Sequence, residues 1–235
     1  MHRGLRVSVV IPTRNEARGI AAVLTGLPSC VDEALVVDYR SDDGTVQTAR
    51  KLGARVIEEP KKGYGRAYLT GVPAAEGEIV VTLDADGTYP SERIPTLVDE
   101  LEQRGLLFIS CARFPLADPR SMRPVNQVGN AALTFMGNVV YGVHLRDLLS
   151  GMWVLRREVW TRLRPRAEDW NLSQEIKLRA ALGLGARFAE VGIPYAPRLG
   201  ESKLAPFAVG AENLRHLFAE RERILAEARE IREAS

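Results

Sequence analysis

Short runs of branched apolar residues alternate with helix-like segments through the first half of this 235-residue chain. The apolar runs are brief and rich in Val and Ile, which is typical of strands that are covered on both faces. This alternation predicts the α/β class, with a mostly parallel sheet and helices on both faces. We expect strands at Leu5–Ile11, Ala34–Asp38, Arg55–Glu58, Glu78–Leu83 and Leu107–Ser110, and helices at Glu16–Leu27, Gly44–Leu52, Gly65–Ala75 and Ser91–Arg104.

The second half of the chain is less regular. We expect a helix at Asn126–Val143, a strand at Gly151–Leu155, a helix at Leu172–Leu182, a strand at Arg187–Ile193 and a charged C-terminal helix from Ala211. No repeat or low-complexity linker divides the sequence. We therefore predict one domain over residues 1–210, with halves at 1–110 and 111–210, followed by a C-terminal helix at 211–235.

Charge is unevenly distributed along the chain. In total, 32 Lys and Arg residues nearly balance 30 Asp and Glu residues. This argues against a nucleic-acid-binding protein, because such proteins usually carry a strong basic excess. Residues 1–110 hold 13 basic and 16 acidic side chains, whereas residues 111–210 hold 14 and 8. The basic second segment predicts an anionic ligand, which Arg side chains bind well.

Neither the cysteines nor the apolar stretches indicate an extracellular or membrane-spanning protein. Cys30 and Cys111 form neither a disulfide framework nor a zinc-binding spacing. The apolar stretch Ala131–Val143 is shorter than the roughly 20 residues that span a bilayer, and no signal peptide is visible. We expect a cytoplasmic protein, with peripheral attachment to the inner face of a membrane as a further alternative.

The strongest chemical motif follows the fourth predicted strand, where one residue separates Asp84 from Asp86. Two carboxylates at the end of an apolar strand are costly to bury, so they need a cation or solvent. Carboxylate oxygens are the ligands that Mg²⁺ and Mn²⁺ prefer, and one or two carboxylates commonly hold such an ion together with substrate phosphates. We favour a metal site here over an ordinary polar turn.

Two further loops carry carboxylates at strand ends. Asp38 ends the second predicted strand, and we favour a ligand contact there, whereas residues 42–45 suit the turn and cap of the next helix. The first strand runs into a loop that ends at Glu16, which by itself is an ordinary capped turn. Because ligands bind where the carboxyl ends of parallel strands meet, the three loops together predict one cleft.

In this order the motifs resemble those of the family 2 glycosyltransferases, closest to the branch that includes dolichyl-phosphate mannosyltransferase and related polyprenyl-phosphate glycosyltransferases. The matching segments, spread from about Val7 to Lys203, are Val-Ile-Pro-Thr-Arg-Asn-Glu16, Val-Val-Asp38, Asp-Gly-Thr45, Gly-Tyr-Gly-Arg-Ala67, Asp-Ala-Asp-Gly87, Ala-Arg-Phe114, Asp-Leu-Leu-Ser-Gly151 and Arg-Leu-Gly-Glu-Ser-Lys203. The resemblance implies the GT-A fold, which is Rossmann-like, and an inverting enzyme that takes a hexose from a nucleotide-diphosphate sugar.

The resemblance also implies roles for matching positions. Five residues would contact the nucleotide of a GDP or UDP sugar: Pro12, Arg14, Glu16, Val37 and Asp38. Asp84 and Asp86 would hold Mg²⁺ or Mn²⁺ at the diphosphate, beside the backbone of Ala85, and Asp86 would thereby serve catalysis. Three cations would face donor or acceptor phosphates, in agreement with the basic second segment: Arg113, Arg198 and Lys203.

Some positions depart from the family pattern and leave the donor open. Arg14 stands where the family often has an aromatic residue, and Tyr39 and Arg40 replace residues of the usual acidic turn after Asp38. The sequence therefore does not choose between a GDP and a UDP sugar.

The acceptor has two alternatives. A polyprenyl phosphate is already ionised and needs no general base, whereas a hydroxyl of a small molecule, glycan or natural product needs a carboxylate to take its proton. Asp169 and Glu175 are the candidate bases, and we prefer Asp169. Each also has a structural interpretation, Asp169 as a helix cap and Glu175 as an exposed helical carboxylate. We take polyprenyl phosphate as the first choice.

Three interpretations remain beside this one. The segment Ala131–Val143, preceded by Arg120 and Arg123, is either an interfacial helix that admits a lipid or a core helix. The apolar stripe of the C-terminal helix either forms a homodimer or packs on its own domain. A sugar-nucleotide nucleotidyltransferase would need a Gly-rich triphosphate loop, which residues 11–20 lack. A non-catalytic binding module is the other alternative, and the acidic pair Asp84 and Asp86 argues against it.

Overall fold

The computed structural model describes residues 1–200 and 205–233. The strands of its sheet are β1 Val7–Thr13, β2 Glu33–Asp38, β3 Arg55–Glu58, β4 Ile79–Thr82, β5 Phe108–Ala112, β6 Trp153–Arg156 and β7 Phe188–Gly192. The helices are α1 Ala17–Thr25, α2 Thr45–Lys51, α3 Tyr64–Ala74, α4 Ile94–Gln103, α5 Pro124–Tyr141, α6 Arg157–Leu163, α7 Leu172–Gly183, α8 Pro206–Ala219 and α9 Arg221–Glu233.

The seven strands form one sheet in the order β3-β2-β1-β4-β6-β5-β7. Only β6 runs antiparallel to its neighbours, β4 and β5, and the other pairs in this sheet are parallel. The predicted α/β class with a mostly parallel sheet is therefore confirmed. In the register of β1 and β2, Thr13 lies opposite Asp38, so the loops that follow both strands leave the sheet side by side.

Helices cover both faces of the sheet because the strands are apolar on both sides. Val9 and Ile11 pack with residues of α1 and α4 on one face, among them Ile20 and Leu97. Val10, which points the other way, packs with residues of α3, α6 and α7. Two apolar layers thus enclose the sheet, and the carboxyl ends of β1, β2 and β4 stay free to form a site.

The C-terminal segment differs from its prediction. We expected one helix from Ala211, whereas α8 begins at Pro206 and α9 follows after Glu220. The chain turns because the two helices pack on different neighbours: α8 lies on α5, and α9 lies on α7. Of the five apolar positions that we considered for a homodimer, Leu214 is 41% exposed and four are buried within the chain, so most of this stripe packs on its own domain: Leu217, Ile224, Ala228 and Ile231.

Other differences are smaller. Strand β1 begins and ends two residues later than predicted, because Leu5 pairs with His2 in an isolated bridge while Pro12 and Thr13 still pair with β2. Helix α6 was not predicted. Across the described residues, none of the helices combines the length and apolar character needed to cross a membrane.

Candidate active site

A cleft of about 540 Å³ lies at the carboxyl ends of β1 and β4 and extends between α5 and α8. The loops that follow the two strands form one wall, as parallel topology requires. Nine of the residues predicted from the sequence line this cleft: Pro12, Arg14, Glu16, Asp84, Ala85, Asp86, Arg113, Asp169 and Arg198. The structure therefore brings together residues that lie up to 186 positions apart in the sequence.

Asp84 and Asp86 lie at the centre of the cleft, directly after β4. Burial, together with the negative charge of Asp86, raises the pKa of Asp84 to about 7, although the Tyr64 hydroxyl donates a hydrogen bond to it at 2.9 Å. Asp86 accepts hydrogen bonds from the backbone N–H and the hydroxyl of Thr88, at 3.1 and 2.7 Å. The pair is thus a concentration of negative charge that its hydrogen bonds only partly balance.

Tyrosine hydroxyls surround Asp84. Tyr64 lies 3.3 Å from the Tyr68 hydroxyl, and burial raises the pKa of both tyrosines, so they remain protonated donors. Tyr89 accepts a hydrogen bond from the backbone N–H of Gly151 at 2.6 Å. A Cβ at Gly151 would overlap the Tyr64 hydroxyl, so a larger residue here would displace the donor to Asp84. This explains on steric grounds why the chain carries Ser-Gly before β6.

Arg198 connects two loops of the site. Its guanidinium lies 3.3 Å from a carboxylate oxygen of Asp86 and 3.2 Å from one of Glu16. The backbone N–H of Leu199 also donates to the carbonyl oxygen of Asp86, at 2.9 Å. Arg198 therefore brings positive charge to the acidic pair, where the sequence predicted a contact with phosphate. Lys203, predicted for the same role, lies outside the described residues.

Arg113 lines the cleft, but it is not a free cation. Asp147 accepts two hydrogen bonds from its guanidinium, at 2.7 and 2.9 Å, and one from its backbone N–H. Arg113 in turn holds the pKa of the Asp147 carboxyl well below its usual range. The guanidinium also lies over the ring of Tyr195 at 5.3 Å. The arginine is thus rigidly oriented, and most of its charge is already compensated.

The loops after β1 and β2 hold each other in place. The Asp38 carboxylate accepts hydrogen bonds from the hydroxyls of Thr13 and Ser41, at 2.8 and 2.5 Å. The backbone N–H of Asn15 donates to the Ser41 hydroxyl at 2.7 Å. Asp38 is 1% exposed and lies beside a smaller pocket, not in the main cleft, and Val37 is fully buried. Asp38 thus joins the two loops by hydrogen bonds, and neither Asp38 nor Val37 lines the main cleft.

A loop from the second half of the chain completes one side of the cleft. Asp169 is exposed there, and one of its carboxylate oxygens accepts a hydrogen bond from the backbone N–H of Trp170 at 2.9 Å. The ring of Trp170 stacks on that of Tyr64, with centroids 4.4 Å apart and planes at 13°. The start of α3 and this loop therefore form one aromatic wall beside Asp84.

Glu175 requires a correction. We considered it either as a candidate base or as an exposed helical carboxylate, but its side chain is fully buried and does not line the cleft. It pairs with Arg179 at 3.0 Å and Arg223 at 3.2 Å, and it accepts hydrogen bonds from the backbone N–H groups of Arg166 and Ala167. Two arginines and two backbone N–H groups already engage this buried carboxylate, so we no longer propose Glu175 as a catalytic residue.

The sequence did not predict two residues that line the cleft, Tyr64 and Trp170, nor the buried partner of Arg113, Asp147. Tyr64 belongs to a segment that the family resemblance marked, but nothing in the sequence connects it with Trp170, which lies 106 positions later. Asp147 likewise belongs to a marked segment, and only the fold brings it to Arg113. A pairing between distant segments leaves no local signal, so these contacts could not be predicted.

Comparisons with known proteins agree with this architecture. The structure superposes with a TM-score of 0.75 on glucosyl-3-phosphoglycerate synthase of Mycobacterium tuberculosis, solved with Mn²⁺, UDP-glucose and phosphoglyceric acid. The two proteins are 25% identical, and the match covers 93% of this chain and 80% of the other. The mixed sheet, with the acidic pair at its carboxyl edge, is that of a GT-A glycosyltransferase.

The chain belongs to glycosyl transferase family 2, whose family model matches residues 8–163. It is 38% identical over 213 residues to the dolichyl-phosphate hexose transferase of Haloferax volcanii, which is 87% of this chain and 89% of that protein. It is 29% identical over 228 residues to the undecaprenyl-phosphate mannosyltransferase of Micrococcus luteus, covering 88% and 90% of the two chains. The family, the fold and the enzyme class predicted from the motifs are confirmed.

The acidic pair fits a divalent cation by its chemistry. Asp84 and Asp86 offer hard oxygen ligands, and the raised pKa of Asp84 indicates that negative charge there lacks full compensation. Within residues 1–200 and 205–233, no cluster of three or more His, Cys, Asp or Glu side chains could hold a metal ion. The remaining ligands would have to come from substrate phosphates or water, which is common for Mg²⁺.

Proposed function

We propose that this protein transfers a hexose from a nucleotide-diphosphate sugar to a polyprenyl phosphate. The observation that carries the proposal is the division of the cleft into two chemically different parts. Around Asp84, Asp86 and Arg198 it is charged, whereas between α5 and α8 it is lined largely by apolar residues: Met122, Val125, Leu133, Pro206 and Val209. A ligand with a phosphate head and a hydrocarbon chain matches both parts.

The reaction needs little acid–base chemistry from the protein. An ionised oxygen of the acceptor phosphate attacks the anomeric carbon of the hexose, and the bond from that carbon to the diphosphate oxygen breaks, with inversion. Arg198 favours the charge that develops on the leaving diphosphate, and the oriented guanidinium of Arg113 faces the cleft as a hydrogen-bond donor. Asp84 and Asp86 would hold Mg²⁺ or Mn²⁺, which supplies further stabilisation of the leaving group.

The relatives support this acceptor. The two whose identities are given above are named for transfer to dolichyl phosphate and undecaprenyl phosphate, and both match over most of their length. The donor remains either a GDP or a UDP sugar. Tyr39 lines the donor side of the cleft beneath the guanidinium of Arg14, which lies 5.3 Å from its ring centroid. This pair would contact the nucleotide and contribute to the choice of base.

A hydroxyl acceptor is the second candidate, because the exposed carboxylate of Asp169 lines the cleft and could accept a proton. The structural neighbour named above, glucosyl-3-phosphoglycerate synthase, was solved with phosphoglyceric acid, a small molecule, which supports this candidate. A nucleotidyltransferase, in contrast, has no support from the family match. We propose peripheral contact with a membrane as the way in which a lipid-linked acceptor is reached.

The proposal is tested by combining a panel of GDP and UDP sugars with two kinds of acceptor, a polyprenyl phosphate and a set of hydroxyl compounds, in the presence of Mn²⁺. Mass spectrometry of the products would detect transfer. We expect a hexose to appear on the polyprenyl phosphate with one class of donor. Transfer to hydroxyl acceptors alone would contradict the proposed acceptor, and turnover with none of the donors would contradict the proposed activity.

Metal dependence has its own test. Asp86→Asn removes one negative charge from the pair but keeps the size of the side chain. We expect calorimetry to detect Mn²⁺-dependent binding of the nucleoside diphosphate to the native protein and a loss of at least about tenfold in the variant. Exposed Asp42→Asn is the control and should bind normally. If nucleotide affinity is the same with Mn²⁺ and with EDTA, the metal assignment is wrong.

A further inference from the structure

Helix α5 presents an unusual surface to solvent. Its 18 residues include no charged side chain, and every one of its exposed residues is apolar. Three of them are large: Val128 is 70% exposed, Phe135 is 67% exposed and Val139 is 64% exposed. They follow one another at intervals of seven and four, so they form one stripe along the helix. This stripe is an exposed apolar face that none of the described residues covers.

Helix α8 carries a matching stripe. Phe207 is 83% exposed, Leu214 is 41% exposed and Phe218 is 55% exposed, again at intervals of seven and four. The sequence prediction included Leu214 in the stripe of the C-terminal helix but missed Phe207, because it placed the start of the helix at Ala211. The exposed ion pair between Arg215 and Glu212 is internal to the helix.

Helices α5 and α8 pack on each other over one shared apolar cluster. Leu133 and Tyr141 on α5 and Leu217 on α8 all pack into one apolar cluster, and the Tyr141 hydroxyl donates to the carbonyl oxygen of Leu217 at 2.9 Å. Because the helices lie side by side over a common cluster, both exposed stripes are turned away from that cluster. We call the two stripes together the α5–α8 face, which comprises Val128, Phe135, Val139, Phe207, Leu214 and Phe218.

The α5–α8 face adjoins the mouth of the cleft. Val125 lines the apolar part of the cleft, is itself 40% exposed and lies about one turn before Val128 on α5, so a chain leaving the cleft there would emerge beside this face. Arg123 directly precedes α5, is exposed, and has no ion-pair partner among the residues the structure describes. A face of aliphatic and aromatic side chains with a cation at its edge matches a lipid surface with anionic headgroups.

We propose that the α5–α8 face docks on the surface of a lipid bilayer, with α5 and α8 lying in the plane of the interface. The inference rests on the proposed function, because a polyprenyl phosphate resides in a membrane and its phosphate must reach Arg198 and the acidic pair. Docking by this face turns the apolar mouth of the cleft toward the lipid. The acceptor then enters without its hydrocarbon chain crossing water.

The test uses the full chain with vesicles of phosphatidylcholine and phosphatidylglycerol. The variant Phe135→Ser with Phe218→Ser removes two exposed aromatic side chains that do not line the cleft. Leu52→Ser, which removes an exposed apolar side chain from the end of α2, is the matched control. We expect the native protein and the control to sediment with the vesicles and the double variant to lose at least about tenfold in partitioning.

Activity separates this proposal from the proposed function. With a short, water-soluble prenyl phosphate the double variant should match the native protein, whereas with a long polyprenyl phosphate in vesicles it should be slower. Equal vesicle binding by variant and native protein would overturn the docking face. So would a native dimer that dissociates in the variant and does not bind vesicles, since the face would then bind a second copy. Vesicle binding through this face without transfer to either phosphate would contradict only the proposed function.

Discussion

Asp84 and Asp86 have different surroundings although only one residue separates them. Asp84 accepts a hydrogen bond from Tyr64 and has a raised pKa, whereas Asp86 is held by Thr88 and lies 3.3 Å from Arg198. One carboxylate is thus buried among tyrosines, and the other is tied to the arginine that we place at the diphosphate. At the scale of single residues, hydrogen bonds and an ion pair therefore hold both carboxylates in place before any substrate binds.

The role of Asp169 distinguishes the two acceptor classes. If the acceptor is a phosphate, Asp169→Asn should keep turnover within a fewfold of the native protein, because no proton has to be removed. If the acceptor is a hydroxyl, loss of the base should lower kcat by about 10²–10⁴-fold. Steady-state kinetics with the identified acceptor measures this. A large loss of kcat with polyprenyl phosphate would contradict our proposal that no base is needed.

Lys177 predicts a pH dependence of stability. Burial lowers the pKa of this lysine from 10.5 to about 7. The negative charges of Asp147 and Glu190 favour the charged form of the lysine, whereas the positive charge of Arg113 opposes it. The Lys177 Nζ donates a hydrogen bond to the Asp147 carbonyl oxygen at 2.9 Å. Above about pH 7 the unfolded chain therefore binds a proton that the native state has lost, so this residue makes stability rise with pH.

Lys177→Met should remove that contribution. Chemical denaturation between pH 7 and 9 would avoid the range in which the raised pKa of Cys111 acts in the opposite direction. We expect the difference between the unfolding free energy of the native protein and that of the variant to become more favourable to the native protein as pH increases. The exposed Lys51→Met serves as control and should follow the native protein. Parallel curves for native protein and Lys177→Met would contradict the prediction.

At the scale of elements, the start of α3 is pressed against the loop that carries Asp169. The backbone N–H of Arg66 donates to the carbonyl oxygen of Glu168 at 2.8 Å, and Tyr64 stacks on Trp170. A Cβ at Gly65 would overlap the carbonyl oxygen of Ala167. The backbones of the helix and the loop are therefore in direct contact, and this contact holds Tyr64 and Trp170 together in the aromatic wall of the cleft.

Gly65→Ala should disturb this contact between the start of α3 and the loop. We expect it to lower the free energy of unfolding by about 1–3 kcal/mol, the usual cost of overpacking, and to weaken donor binding because Tyr64 and Trp170 move apart. Gly210→Ala on α8 is the matched control: a Cβ there meets open space, so it should stabilise by about 0.5–1 kcal/mol. Urea denaturation measures both, and equal effects of the two variants would contradict the steric argument.

At the scale of the whole molecule, buried charges tie the second half of the chain together. Glu175 and Arg179 on α7 are fully buried as a pair, and Arg223 and Glu227 reach them from α9. Glu175 also accepts hydrogen bonds from the loop before Asp169. Helix α9 therefore supports the cleft from a distance, because it helps to hold the helix on which this loop rests.

Glu175→Gln should destabilise the whole protein. Removal of one buried charge leaves its arginines partly uncompensated, at a cost of about 3 kcal/mol. Glu230→Gln breaks an exposed pair with Arg164 and should change stability by less than about 1 kcal/mol. Thermal melts compare the two. If Glu175→Gln melts like the native protein but has lost turnover, Glu175 acts in catalysis and our correction is mistaken.

Local patterns were enough to predict much of the fold and part of the site. The β-branched runs marked the strands because a strand buried on both faces must be apolar, and residues at the ends of β1 and β4 did lie together at one edge. Tyr64, Trp170 and Asp147 were not predicted as site residues, because their partners come from distant segments. Glu175 was misjudged because its burial depends on α9, which is 46 or more positions away.

The sequence by itself determined the α/β class, the family and the acidic pair, since these depend on local periodicity and on short motifs. Only the tertiary structure decided which charges are compensated: Arg113 by Asp147, and Glu175 by Arg179 and Arg223. It alone also packed α5 and α8 on each other over one apolar cluster, with both exposed stripes turned away from that cluster. The physical reason is that burial and charge compensation depend on neighbours in space, and packing of the folded chain selects those neighbours.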